Sequence, residues 1–181
     1  MEKTVSPAKS AITYGIMFGA IMILELVIMH ITKPDPLEMS WVSMVVNLFN
    51  WLILPVLFIS LACNNFKKNH NGGFISFGQC LKIGVSVAVV AAVLYSIFYL
   101  VFTMIFPEFI PDAVAQVERV TRAQNPDMPE DQLEMSVSMV SKFMQPALAI
   151  PISIVMNAFI GLIISLIVGA IVKRDNPAAA N

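Results

Sequence analysis

Charge is what this chain has least of. Only 13% of its residues are Asp, Glu, Lys or Arg, against roughly 25% in an ordinary soluble domain. That shortage argues against a water-solvated globular fold. An excess of either sign is missing too. Eleven basic and 12 acidic residues leave a net charge of −1, which removes the electrostatic basis for binding nucleic acid. Two cysteines, Cys63 and Cys80, and two histidines do not make a four-ligand metal site without carboxylates. No cofactor or metal is expected. No catalytic constellation of nucleophile, base or paired acids can be read from the chain, so the expectation is a protein that is not an enzyme.

What is present in quantity is apolar. Hydrophobic residues make up 57% of the 181, and they fall into four long stretches: 12–31, 41–63, 83–106 and 147–172. The first is interrupted only by Glu25 and His30; the other three carry no charge. About 20 apolar residues in a helix cover roughly 30 Å, the hydrocarbon thickness of a bilayer. Lipid offers the backbone no hydrogen-bond partner, so such stretches must be helices. Short alternating segments, the signature of a membrane β-barrel, are not visible. The reading is an all-α membrane protein: a single domain, 1–181, built as a four-transmembrane-helix bundle with a helical loop, 107–146, between the third and fourth helices. The first stretch is too long for a cleaved signal peptide, contains a carboxylate, and is followed by Lys33-Pro34-Asp35-Pro36 rather than by small residues.

Basic residues set the expected direction. If four helices cross in turn, one side holds Lys3, Lys9, Lys67, Lys68, Lys82, Lys173 and Arg174. The other holds Lys33, Arg119, Arg122 and Lys142. Both termini are therefore expected in the cytoplasm and loop 107–146 outside it.

The loop between the second and third stretches has readable mechanics. Asn71, Gly72 and Gly73 supply a turn in which positive φ is cheap. Ser76 followed by Gln79 fits a capping box. Phe74 and Phe77 suit a headgroup layer, and Lys82 can snorkel towards phosphates. The run Gly72-Gly73-Phe74-Ile75-Ser76-Phe77-Gly78-Gln79, followed by Lys82-Ile83-Gly84, resembles the hallmark of an uncharacterised bacterial membrane family, domain of unknown function 4199, of the Bacteroidetes type. The resemblance extends over nearly the whole chain. It implies an inner-membrane protein of a Gram-negative cell and carries over no catalytic residue.

Loop 107–146 is the one sizeable polar region. It holds seven acids (Glu108, Asp112, Glu118, Asp127, Glu130, Asp131, Glu134) against Arg119, Arg122 and Lys142. Pro111-Asp112 can open a helix that runs to Gln124 and stops at Asn125-Pro126. Asp127 with Glu130 resembles a capping box for a second helix. Leu133, Val137, Val140 and Met144 recur at helical spacing, with Met135, Met139 and Phe143 beside them. This apolar face is wide enough to lie on the bilayer surface or on the helix bundle, closing its external end, or it offers helix 129–145 as a surface for a membrane-protein partner.

Within lipid, helices associate through small residues and polar contacts. Three ridges of small residues recur every fourth position: Ala11, Gly15 and Gly19; Gly84, Ala88, Ala92 and Ser96; Gly161, Ser165 and Gly169. They predict a compact bundle, with a homodimer through any ridge left free. In the second stretch Pro55 leaves the carbonyl of Trp51 without its donor, so a kink is expected. Glu25 is the most informative single residue. An ionised carboxylate deep in lipid costs roughly 3 kcal/mol, so it should face polar partners. Asn47, Asn50, Ser96, Tyr99 and Asn157, with Tyr95, are expected at its level. A hydrogen-bonded plug with Glu25 neutral and donating to an asparagine, a proton- or cation-handling site, or contact with a partner's transmembrane helix would fit. The leading expectation is an accessory or scaffold component of a membrane assembly; a small oligomeric transporter or channel subunit is the alternative.

Overall fold

The computed structural model describes residues 6–176, so Lys3 lies outside the described residues. The first helix, α1, spans Pro7–Thr32. It begins five residues ahead of the apolar run because Ser6 accepts the Lys9 N–H at 3.3 Å and Pro7 takes the first helical position, where a missing N–H costs nothing. It ends at Lys33, which adopts φ 40° and returns its N–H to the Met29 carbonyl; Pro34 follows.

The second stretch forms one long helical rod with an internal change of winding. It comprises α2 (Ser40–Leu48), a π-helical segment (Phe49–Ile53) and α3 (Leu54–Asn69). The expected Pro55 kink is corrected in form. The widened π turn lies just before the proline, and the Leu54 N–H reaches back five residues to the Phe49 carbonyl. The disturbance thus reaches upstream to Asn50. Seven residues of α3 are buried, whereas no residue of α2 is. Only the α3 half packs into the bundle.

Helix α4 covers Phe77–Ile105, starting six residues before the expected 83. Both halves of the Ser76–Gln79 capping box form, with Gln79 N–H to Ser76 Oγ at 3.3 Å and Ser76 N–H to Gln79 Oε1 at 2.8 Å. Then follow α5 (Phe109–Gln124), α6 (Glu130–Met144) and α7 (Pro146–Val172). Helices α1, α4 and α7 and the α2–α3 rod are each long and apolar enough to cross a membrane.

Helix α4 is central, with α1 on one flank and α7 on the other. All three small-residue ridges turn inward: Ala11, Gly15 and Gly19; Gly84, Ala88, Ala92 and Ser96; Gly161, Ser165 and Gly169 are buried. A Cβ on Gly15 would stand 2.6 Å from Val90 Cβ, and one on Gly19 2.9 Å from the Ala91 carbonyl oxygen. Gly84 faces the Ser165 hydroxyl, which donates to the Gly161 carbonyl. Around this contact Phe18, Ile59, Cys63, Cys80, Ile83 and Val87 are sealed from solvent, so the end of the bundle that carries the 69–76 turn is closely packed.

That turn is fastened to the far end of the chain. Gly72 and Gly73 take φ 59° and 85°, as a tight reversal requires. Ile75 and Arg174 exchange backbone hydrogen bonds at 2.9 Å in each direction. Lys67 Nζ donates to the Val172 carbonyl at 2.9 Å, one of the free acceptors at the end of α7. The Arg174 guanidinium lies 5.5 Å above the Phe74 ring. Phe77 packs against Gly169 rather than standing free. Gly78 and Lys82 remain exposed.

At the other end, α5 and α6 form a helical hairpin. The expected Asp127–Glu130 capping box does not form: Pro129 precedes α6 and no side chain caps it. Glu130 is drawn instead to Arg122, which bridges it at 3.0 Å and Glu118 at 3.2 Å. A guanidinium outcompetes a neutral backbone N–H for a carboxylate. This pairing holds the Glu130 carboxyl below its usual range and the Arg122 guanidinium above its own. Asp35 joins the α1–α2 loop to α5. It accepts the Leu37 N–H at 2.9 Å and Arg119 at 2.7 Å, and both hold its carboxyl below the ordinary value. Lys33 meets Asp112 at 3.2 Å beside it.

Candidate functional site

The polar residues expected at the level of Glu25 do not form one layer. They divide into two groups on either side of α4. In the first, Asn50 Nδ2 donates to Glu25 Oε2 at 2.6 Å and to the Val46 carbonyl at 3.1 Å. Both amide protons are used, which fixes the side chain's orientation. Asn50 Oδ1 is left buried and without a partner. The pairing of Glu25 with an asparagine is present, but in the reverse of the expected direction: Asn50 donates and Glu25 accepts. In the second group, Ser96 and Ser153 hydroxyls lie 3.4 Å apart, and the Tyr99 hydroxyl donates to the Met144 carbonyl at 2.7 Å. Asn157 donates to the Ser153 carbonyl on its own helix. Asn47 belongs to neither group: it is exposed, because α2 as a whole stands off the bundle and presents no buried face.

The π turn is what places Asn50 where it can act. It widens the helix at the point where α3 leaves the core, so the Asn50 side chain can reach both Val46 and α1. A lateral cleft of about 170 Å³ opens there, lined by Met22, Glu25, Leu26, Met29, Val46, Asn50 and Tyr95. Leu26 and Met29 are shared with a second cavity of about 210 Å³ beside α5. Tyr95 also lines a third, of about 200 Å³, with Ser96, Tyr99 and Ser153, and so stands between the two polar groups. All three cavities lie towards the hairpin end. None of the residues around Glu25 is basic.

Several contacts had no clear signal in the chain. His30 packs among the rings of Phe102, Phe106 and Phe109, at 5.0, 4.7 and 6.0 Å between centroids. Cys63 on α3 and Cys80 on α4 are both buried and interact with each other, which sequence spacing did not disclose. Met22, Leu26 and Met29, the cleft's walls, recur along one side of α1 at helical intervals; without a known neighbour that spacing reads as lipid-facing.

On α6 the apolar residues separate into two sets. Leu133 is buried and Val137, Val140 and Met144 are half-buried. Met135, Met139 and Phe143, at intervals of four, are 68%, 54% and 53% exposed.

No curated protein and no solved structure matches the chain. A family model does match it, over residues 13–174, from the first candidate span through the Ile75–Arg174 bridge. The chain therefore belongs to the family described as protein of unknown function, DUF4199.

Proposed function

We propose that this protein is a non-enzymatic accessory or scaffold component of a membrane assembly, docking a partner through α6. One observation carries the reading. Met135, Met139 and Phe143 form an exposed stripe on a helix outside the four candidate spans. Exposed apolar residues on a span are solvated by lipid. On a connecting helix a contiguous apolar stripe marks an interaction surface, and of the two surfaces that could cover it, a partner or the bilayer interface, we favour the partner. Methionine is suited to such a surface because its flexible, polarizable side chain adapts to a partner. The inward set, led by Leu133, already holds α6 to the hairpin, so the stripe is free for a second surface.

The accompanying topology has both termini in the cytoplasm of a bacterial cell, the protein in the inner membrane and the α5–α6 hairpin in the periplasm. Lys67, Lys68, Lys82, Lys173 and Arg174 at the 69–76 turn support this direction. The alternative of an oligomeric transporter or channel subunit draws only on the Glu25 cleft, and the closely packed Gly84–Ser165 end gives it no continuation.

The test is photo-crosslinking in native membranes from position 139, compared with position 171, which is still more exposed but lies on α7. A discrete adduct from 139 alone, lost when Met135 and Phe143 are changed to Ser, supports docking. Adducts of equal yield from both positions, or none from 139, refute it. A reporter fused to the C-terminus and scoring as periplasmic refutes the topology.

A further inference from the structure

The geometry points to the Glu25–Asn50–Tyr95 cleft as a binding site for a compact lipophilic ammonium ion, taken up laterally from the bilayer. Glu25 is the one charged group of the cleft, and its partner Asn50 is neutral. Along α1 the nearest ammonium, Lys33, lies eight residues away, about 12 Å, and is engaged by Asp112. The carboxylate therefore has a hydrogen-bond donor but no counter-charge. Asn50 Oδ1 is unpartnered but covered, with no surface towards the cleft; the acceptor left for a ligand is Glu25 Oε1, since Asn50 donates to Oε2. A carboxylate with a free oxygen and no counter-charge calls for a ligand that brings positive charge and an N–H donor together; a neutral ligand meets only the second need, and a quaternary ammonium only the first.

The walls determine the rest of the ligand. Met22, Leu26, Met29 and Val46 are apolar, and methionine thioethers suit an aromatic ring. Tyr95 adds an aromatic side chain of the kind that attracts cations. A cleft of about 170 Å³ suits a compact molecule, whereas a helix about 10 Å across is too wide. Access is sideways, between α1 and α2, because α2 meets α1 here through half-buried residues such as Val46 and has no fully buried one. Passage onward is closed at the Gly84–Ser165 contact, so the site binds without conducting. This inference is independent of the α6 surface.

The probe is radiolabelled 4-phenylbutylammonium, with the full chain purified into lipid nanodiscs. Expected is saturable binding to the wild type, at least tenfold weaker binding to Glu25→Gln, and no competition by neutral 4-phenylbutanol. Equal competition by the alcohol would reduce the cleft to an apolar void and overturn the proposal. So would undiminished binding to Glu25→Gln, or uptake no greater than by empty nanodiscs. Should Glu25→Gln fail to fold, a diazirine analogue of the amine is mapped on the wild type. Labelling of residues that line the cleft supports the site, and labelling confined to residues outside it refutes it.

Discussion

The contact between α4 and α7 can be tested by adding one methyl group. In Gly161→Ala the new Cβ would stand 2.6 Å from Ala88 Cβ and 3.0 Å from the Gly84 carbonyl oxygen. Carbon atoms rest at about 3.5–4.0 Å, so the helices must part by roughly 1 Å. Ala88 is buried and the Gly84 oxygen is backbone, so neither can rotate aside. Overpacking of this kind costs about 1–3 kcal/mol. Replacing a helical glycine by alanine returns up to about 1 kcal/mol, leaving a net loss of up to about 2 kcal/mol. For a chain of this length each kcal/mol moves the midpoint by roughly 2–4 °C, so a fall of several degrees is expected. The assay is thermal unfolding in mild detergent, followed by tryptophan fluorescence. Gly78→Ala is the reference, since a Cβ there meets nothing within 4 Å and only the propensity gain remains. Ala88→Gly combined with Gly161→Ala removes the methyl that clashes and should recover part of the loss. A midpoint for Gly161→Ala equal to or above that of wild type, with no coupling to Ala88, would refute the close approach of α4 and α7.

Other outcomes follow from single contacts. Ser76→Ala removes the cap on Gln79 N–H and should lower stability by about 1 kcal/mol, read from the same thermal scans; an unchanged midpoint would show that the capping box contributes nothing. The Asp35 carboxyl is depressed by Leu37 N–H and Arg119. Its contribution is present above the unfolded value, about pH 3.9, and is lost as pH falls through the lower folded value. Amide exchange at Leu37 should therefore hold steady down to about pH 4, after correction for intrinsic rates, and accelerate below it. Acceleration already near neutrality would refute the assignment. Cys63 and Cys80 should be joined by copper–phenanthroline in the membrane, two thiols passing two hydrogens to the oxidant and leaving one disulfide. After denaturation, maleimide would then label neither cysteine. Full labelling of both would place them too far apart for the α3–α4 packing described.

Composition and run length were enough to reveal four membrane-length helices, because lipid allows an isolated apolar stretch no structure but a helix. Local chemistry was legible for the same reason of proximity. The Ser76–Gln79 cap, the glycine turn before it and the stop at Lys33-Pro34 each involve partners a few residues apart. Small residues at every fourth position also identified the faces along which the helices approach, though not which helix meets which. Tertiary structure decided everything that depends on two distant segments meeting. It fixed Glu130 on Arg122 rather than on its own helix, Ile75 on Arg174, His30 among three phenylalanines, and Cys63 beside Cys80. It also divided the supposed polar layer in two. Depth along a span can be counted from sequence, but the direction a side chain faces depends on packing, and the π turn before Pro55 changes the winding where α2 leaves the bundle. That departure exposes Asn47, brings Asn50 to Glu25 and leaves a cleft beside a carboxylate that has no counter-charge.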